Sequence, residues 1–149
     1  MKAVLITGAG ARVGAHLARG LAAQGLAVAI HYNRSKNGAE TLAKDITSKG
    51  GRAAIVQANL FVPQDLESLV SRASQALGNP LTALINNAST FENDDAKTFS
   101  NADFDYHMSV NLRAPLRLAQ QFAIQLPDCL LYTSPSPRDL STSRMPSSA

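Results

Sequence analysis

The sequence predicts an α/β protein: a parallel β-sheet wound with helices on both faces, in the strand order 3-2-1-4. Two observations predict it. Short apolar runs alternate four times with amphipathic helical patterns across connections of a few residues, the pattern of parallel strands joined by crossover helices. The first apolar run also stops at a glycine turn, Thr7 to Gly14, that opens directly into a helix. Backbone N–H groups and a helix N-terminus aimed at one spot suit a phosphate group. With right-handed crossovers and a ligand at that first turn, strands two and three fall on one side of strand one and strand four on the other.

Each element has its own signature. Strand one is Ala3 to Ile6, a continuous apolar run of the kind buried on both faces. The helix after it begins near Arg12, with Val13, Leu17 and Leu21 at helical spacing, and Ala15, Ala18 and Ala22 allowing close packing. Gly25 ends it. Strand two is Leu26 to Tyr32. Ser35 is placed to cap the next helix, whose inner stripe is Ala39, Leu42, Ala43 and Ile46, and Gly50-Gly51 closes it. Strand three is Ala53 to Ala58. Pro63 marks the first position of the third helix, with Leu66, Leu69, Val70, Ala73 and Leu77 as its stripe. After the turn Gly78-Asn79-Pro80, strand four reads as Leu81 to Asn87, and the polar segment from Ala88 to Asn101 reads as a loop. A last helix is expected from about Ala102 to Leu126, with Val110, Leu112, Leu116, Ala119, Ala123 and Leu126 facing inward.

The bulk numbers narrow the function classes. A chain of 149 residues is one domain's worth, and 45% hydrophobic residues suffice for a core. The net charge of +3 is modest and its basic residues are scattered, so no nucleic-acid partner is expected. A single cysteine, Cys129, excludes an internal disulfide, and no Cys/His spacing suggests a metal site. The first apolar run is too short and interrupted for a signal peptide or membrane span, so no membrane partner is expected and a reducing cytoplasm is the default setting.

The turn itself reads Thr7-Gly8, three residues, then Arg12-Val13-Gly14. It resembles the TGxxxGxG motif of the short-chain dehydrogenases/reductases, with Gly8 and Gly14 as the outer glycines and Arg12 in place of the middle one. Further segments match in order. Ile85-Asn86-Asn87-Ala88 is similar to the NNAG that ends the family's fourth strand, with Ser89 where glycine is usual. Asn111, in VNLRAP, resembles the family's active-site asparagine. Asn59-Leu60 follows strand three where the family usually has an aspartate against the adenine; an asparagine carbonyl can still accept from the adenine amino group. The resemblance covers Met1 to about Leu126 and implies a Rossmann-type domain, here incomplete, over residues 1–131. It implies a cofactor site running through Gly8, Arg12, Val13 and Gly14, through His31, Asn33, Arg34 and Ser35, through Asn59 and Leu60, and through Asn87, Ala88 and Ser89. In the family the asparagine's main-chain carbonyl holds a water in the proton relay. In this chain Pro115 lacks the N–H that would bond the Asn111 carbonyl, so that carbonyl is left free or the helix bends.

NAD-preferring members of such folds carry an acidic residue near the end of strand two. Here the segment is His31-Tyr32-Asn33-Arg34-Ser35, with no carboxylate. Arg34 and Ser35 can hold a 2′-phosphate and Arg12 adds a second positive charge, so the expected cofactor is NADP(H). One charge-assisted contact of ~1.5–3 kcal/mol gives on the order of ten- to hundredfold preference over NADH.

Arg12, the HYNRS segment and Asn87-Ala88-Ser89-Thr90-Phe91 together resemble the pteridine reductases within the family. That likeness makes Phe91 a ring that stacks on a pterin and Arg12 a polar anchor. A hydrophobic plug holding the loop to the body is an equal reading of Phe91, so a pterin and a ketone or 3-oxoacyl substrate both stay open.

The family's Tyr-x-x-x-Lys pair, which follows the asparagine, has no match there: after Asn111 the one tyrosine is Tyr132, with Ser136 four residues on, and no lysine follows Lys97. From Tyr132 to Ala149, eleven of eighteen residues are Ser, Thr or Pro, so residues 132–149 read as a disordered, non-native tail that resembles translated sequencing-adapter read-through. The chain as written is therefore expected to bind cofactor without reducing substrate, as the N-terminal portion of a reductase. A non-catalytic dinucleotide-binding module is the competing reading, and a different α/β nucleotide enzyme would leave INNA and VNLRAP unexplained. The intact protein is expected to be a homodimer or homotetramer using the last helix, and strand four to leave an open edge.

Overall fold

A computed structural model describes residues 1–93, 95 and 97–126. The segment 132–149 and Cys129 lie outside the described residues.

Four strands, β1 (Ala3–Ile6), β2 (Ala27–Tyr32), β3 (Ala53–Gln57) and β4 (Ala83–Ile85), alternate with helices α1 (Arg12–Ala23), α2 (Lys36–Ser48) and α3 (Pro63–Leu77). The sheet order is β3-β2-β1-β4 and every pair is parallel. Register is set by the apolar alternation. Ala3 lies opposite Ala27 and Ile6 opposite Ile30, while Val4 lies opposite Ala83 and Ile6 opposite Ile85. Even-numbered side chains of β1 and β2 (Val4, Ile6, Val28, Ile30) pack against Ala15 and Ala18 of α1 and Ala39, Leu42 and Ile46 of α2. Odd-numbered ones (Ala3, Leu5, Ala27, Ala29) pack against Leu66, Leu69, Val70, Ala73 and Leu77 of α3 and the helices that follow β4. Both faces of the two central strands are thus covered, which is why they read as unbroken apolar runs.

Four expectations need correcting. First, β4 is three residues long rather than Leu81–Asn87. Its neighbour β1 ends at Ile6, and beyond Ile85 the N–H groups of Asn87 and Ala88 both turn to Thr7 Oγ1, at 3.0 Å each. Leu26 similarly stays out of β2, because its N–H closes the end of α1 on the Leu21 carbonyl. Second, the stripe of α1 is not the one its large residues suggest. Gly14, Ala15 and Ala18 are the buried positions, whereas Val13 is 66% exposed and Leu17 also faces outward. The start of the helix lies so close to the glycine turn that small side chains fill the space there, and Leu21, the remaining large residue of the expected stripe, packs partly buried at its far end.

Third, the last helix is not continuous. It runs as α4 (Asn101–Met108), a π-helical turn (Ser109–Arg113) and α5 (Ala114–Gln125). Pro115 cannot supply an N–H, and the chain answers by widening: Ala114 N–H reaches back to the Ser109 carbonyl, five residues earlier. The widened turn changes which face meets α3. Val110, Ala114 and Leu118 are buried, while Leu112, Leu116 and Ala119 are exposed. Fourth, Ser35 does precede α2, but its side chain makes no capping hydrogen bond. The effective cap lies at α4, where Ser100 Oγ accepts from Asp103 N–H at 3.1 Å.

Candidate functional site

The carboxyl ends of all four strands converge on one crevice, and Thr7 ties its centre. Thr7 N–H donates to the Ile85 carbonyl at 3.0 Å, and its hydroxyl takes the two N–H groups that follow β4. Asn87 reciprocates: its Nδ2 donates to the carbonyls of Thr7 (2.8 Å) and Gly8 (3.2 Å). This lattice brings the β4 end so near the turn that side chains are excluded. A Cβ at Gly8, whose φ is 64°, would lie 2.9 Å from Ala88 Cα, and one at Gly14 would lie 2.6 Å from Asn87 Nδ2. Glycine is required at both positions by contact, and at Gly8 by conformation as well.

His31, at the end of β2, ties the turn from the other side. It is buried, its Nδ1 accepts Gly8 N–H at 3.0 Å, and its Nε2 lies 3.0 Å from the Ala58 carbonyl. Burial pushes its pKa down from 6.5 to about 4, outweighing the opposing Ala58 hydrogen bond; the nearby Arg72 acts with burial and Asp65 against it. The Ala9 N–H is taken by the His31 carbonyl at 2.8 Å. The remaining donors of the turn belong to the start of α1, which has neither a side-chain cap nor an acidic residue in its first turn. That is an open anion seat.

A cavity of about 460 Å3 occupies this crevice. Its lining takes in Gly8, Arg12, Val13 and Gly14 from the turn, His31, Asn33, Arg34 and Ser35 after β2, Asn59 and Leu60 after β3, and Asn87, Ala88 and Ser89 after β4. All the expected cofactor positions therefore share one wall. The order of chemistries along it fits a dinucleotide: an anion seat at α1, two arginines, and no acidic side chain in the segment that ends β2. Asn59 is partly occupied, because its Oδ1 accepts Phe61 N–H at 3.1 Å while Asp65 takes its N–H at 2.8 Å. A second lone pair remains for a ligand.

Two expected residues are not on the lining. Phe91 is 79% exposed, its ring stacked on His107 with centroids 6.2 Å apart and planes 6° from parallel. The side chain of Asn111 grips the backbone of Thr90, accepting its N–H at 2.8 Å and donating to its carbonyl at 2.9 Å. His107 Nε2 adds a third tie by accepting Glu92 N–H at 2.7 Å. One turn apart, His107 and Asn111 pin the loop after β4. Among the described residues no group of three His, Cys, Asp or Glu side chains could hold a metal.

Sequence reasoning missed several wall residues: Gly10, Ala11, Tyr32, Thr90, Glu92, Tyr106 and Val110. It also missed Thr7 as the hub, although a threonine directly before the turn glycine was the available signal. Gly38 was missed too. A Cβ there would lie 2.1 Å from the Gly10 carbonyl oxygen, so α2 docks on the turn only through glycine.

Known proteins share this architecture. The family model for short chain dehydrogenase matches residues 2–128. The crystal structure of FolM alternative dihydrofolate reductase 1 from Brucella suis, in complex with NADP, superposes with a TM-score of 0.79 at 38% identity, over 85% of this chain and 52% of that one. An uncharacterized oxidoreductase of Thermotoga maritima is 35% identical over 125 residues, 84% of this chain and 48% of its own length. A hydroxynaphthalene reductase-like protein of Metarhizium guizhouense is 30% identical over 127 residues, 84% of this chain and 46% of that protein. The chain thus spans about half the length of these relatives. A match across most of the chain, a parallel sheet in the order 3-2-1-4 and a glycine turn locked to the Asn-Asn segment after β4 together place the chain in the short-chain dehydrogenase family.

Proposed function

We propose that this chain is the cofactor-binding portion of an NADPH-dependent short-chain reductase. The carrying observation is the cavity itself, with an uncapped helix N-terminus at one end and Arg12 and Arg34 on its wall without a carboxylate from β2. Bound NADPH would supply the hydride. The chain's own residues would do the rest of the holding: the α1 turn seats the pyrophosphate, Arg34, Ser35 and Arg12 hold the 2′-phosphate, Asn59 and Leu60 flank the adenine, and Asn87 to Ser89 line the ribose. Asn111 positions the loop after β4.

A pteridine is the preferred substrate class, supported by Arg12 in the turn and by the likeness to an alternative dihydrofolate reductase. A carbonyl substrate is the second reading, supported by the hydroxynaphthalene reductase-like relative. On the pteridine reading Phe91, 79% exposed, is the ring that would stack on the substrate. Reduction also needs a proton donor, and the 149 residues contain no Tyr-x-x-x-Lys after Asn111; these residues bind NADPH without turning it over.

The test is a fluorescence titration of the chain with NADPH and NADH. NADPH should bind on the order of ten- to hundredfold more tightly, and Arg34→Asp should weaken NADPH much more than NADH. Equal losses for the two cofactors, or no binding of either, would overturn the assignment.

A further inference from the structure

His31 was expected to contact the cofactor, yet both of its ring nitrogens are occupied by protein backbone. The partners dictate its chemistry. Gly8 N–H can only donate, so Nδ1 at 3.0 Å must be an unprotonated acceptor. The Ala58 carbonyl can only accept, so Nε2 at 3.0 Å must carry the proton. Two independent contacts demand the same neutral tautomer, and an imidazolium would set an N–H against the Gly8 N–H.

The two partners adjoin different segments of the cavity lining. Gly8 begins the turn that leads to the α1 anion seat, and Ala58 directly precedes Asn59 and Leu60 of the lining. We propose that His31 is a positioning residue, a neutral Nε2–H imidazole that clamps the glycine turn to the end of β3 and so fixes the distance between the phosphate seat and the adenine wall. This rests on the NADP(H) reading of the cavity for its consequence, but not for the clamp. Its charged neighbours come from α3. Arg72, whose Nε and Nη2 are buried without a hydrogen-bond partner among the described residues, favours the neutral ring, and Asp65, which accepts Asn59 N–H, opposes it. Burial sides with Arg72, so the clamp stays closed at neutral pH.

The clamp is read directly by nitrogen NMR of the chain at pH 7. His31 should show a protonated Nε2, an unprotonated Nδ1, and a through-hydrogen-bond correlation between Nδ1 and the Gly8 amide nitrogen. A protonated Nδ1, or an imidazolium, would overturn the proposal. Three substitutions separate the links. His31→Asn places an oxygen where Nδ1 was and keeps the Gly8 contact. His31→Gln places its amide where Nε2 was and keeps the Ala58 contact, while His31→Phe keeps neither. Gly8 amide exchange should speed up in the Gln and Phe variants and stay slow in Asn. NADPH Kd should rise by about tenfold for Gln and Phe, and by no more than about threefold for Asn. A folded His31→Phe with unchanged Gly8 exchange and unchanged Kd would also overturn it. If the unsubstituted chain binds no NADPH, the cofactor reading fails, and the NMR result still decides the clamp.

Discussion

Arg12 has φ of 52°, the one described non-glycine residue in the left-handed region. Its family motif carries glycine there, so the arginine holds a conformation that disfavours a side chain by roughly 1–2 kcal/mol. A positive charge on the cavity wall is the gain that accompanies this strain. Arg12→Gly should therefore raise the melting temperature while weakening NADPH binding, measured by thermal denaturation with and without cofactor. A variant that loses both stability and affinity would mean the strain reading is wrong. His31 makes a second residue-scale prediction. Its folded pKa of about 4 lies below the ordinary 6.5, so between those values the unfolded chain binds a proton that the folded chain does not. Its contribution, whole above pH 6.5, is lost as pH falls toward 4, a decrease of about 3 kcal/mol in unfolding free energy. Asp45, held low by Lys49 and Arg19, and Glu67, held low by Arg117, act in the same direction at more acid pH. Denaturant midpoints from pH 7 to pH 4 should fall, and should fall less steeply in His31→Asn.

At the scale of elements, legibility followed the rigidity of the local rule. Strands β1 and β2 and helix α3 were readable because unbroken apolar runs, Pro63 and a five-residue stripe each have one structural solution. The face of α1 was legible in part: Ala15 and Ala18, read as close-packing positions, are buried, whereas Val13 and Leu17 of the expected stripe face outward. Pro115 announced a disturbance, yet its form as a π turn depended on packing Val110, Ala114 and Leu118 against α3. The wall positions after each strand were legible through motif order; the backbone ties of Thr7, His31 and Asn111 that hold them needed three-dimensional neighbours. Gly38 supplies the sharpest test at this scale. In an ordinary exposed helix Gly→Ala stabilises by about 1 kcal/mol. At Gly38 the added Cβ would overlap the Gly10 carbonyl, so Gly38→Ala should instead destabilise by about 1–3 kcal/mol and raise the NADPH Kd together. A rise in melting temperature would show that α2 can shift away at no loss.

Over the whole molecule, two surfaces lack partners among the described residues. β4 pairs only with β1, and Leu112, Leu116 and Ile124 stand exposed beyond the face that meets α3. Open strand edges and apolar helix faces favour association. The chain should elute above its monomer size in gel filtration, and Leu116→Glu with Ile124→Lys should shift it toward monomer without changing NADPH affinity, since neither residue lines the cavity. The placement of that cavity has a consequence in time. Every residue on its wall lies between Gly8 and Val110, so the wall is fully encoded before α5 is translated. A nucleotide captured once these residues have folded would act as a folding ligand, because the segments that follow all four strands contribute to the wall it binds.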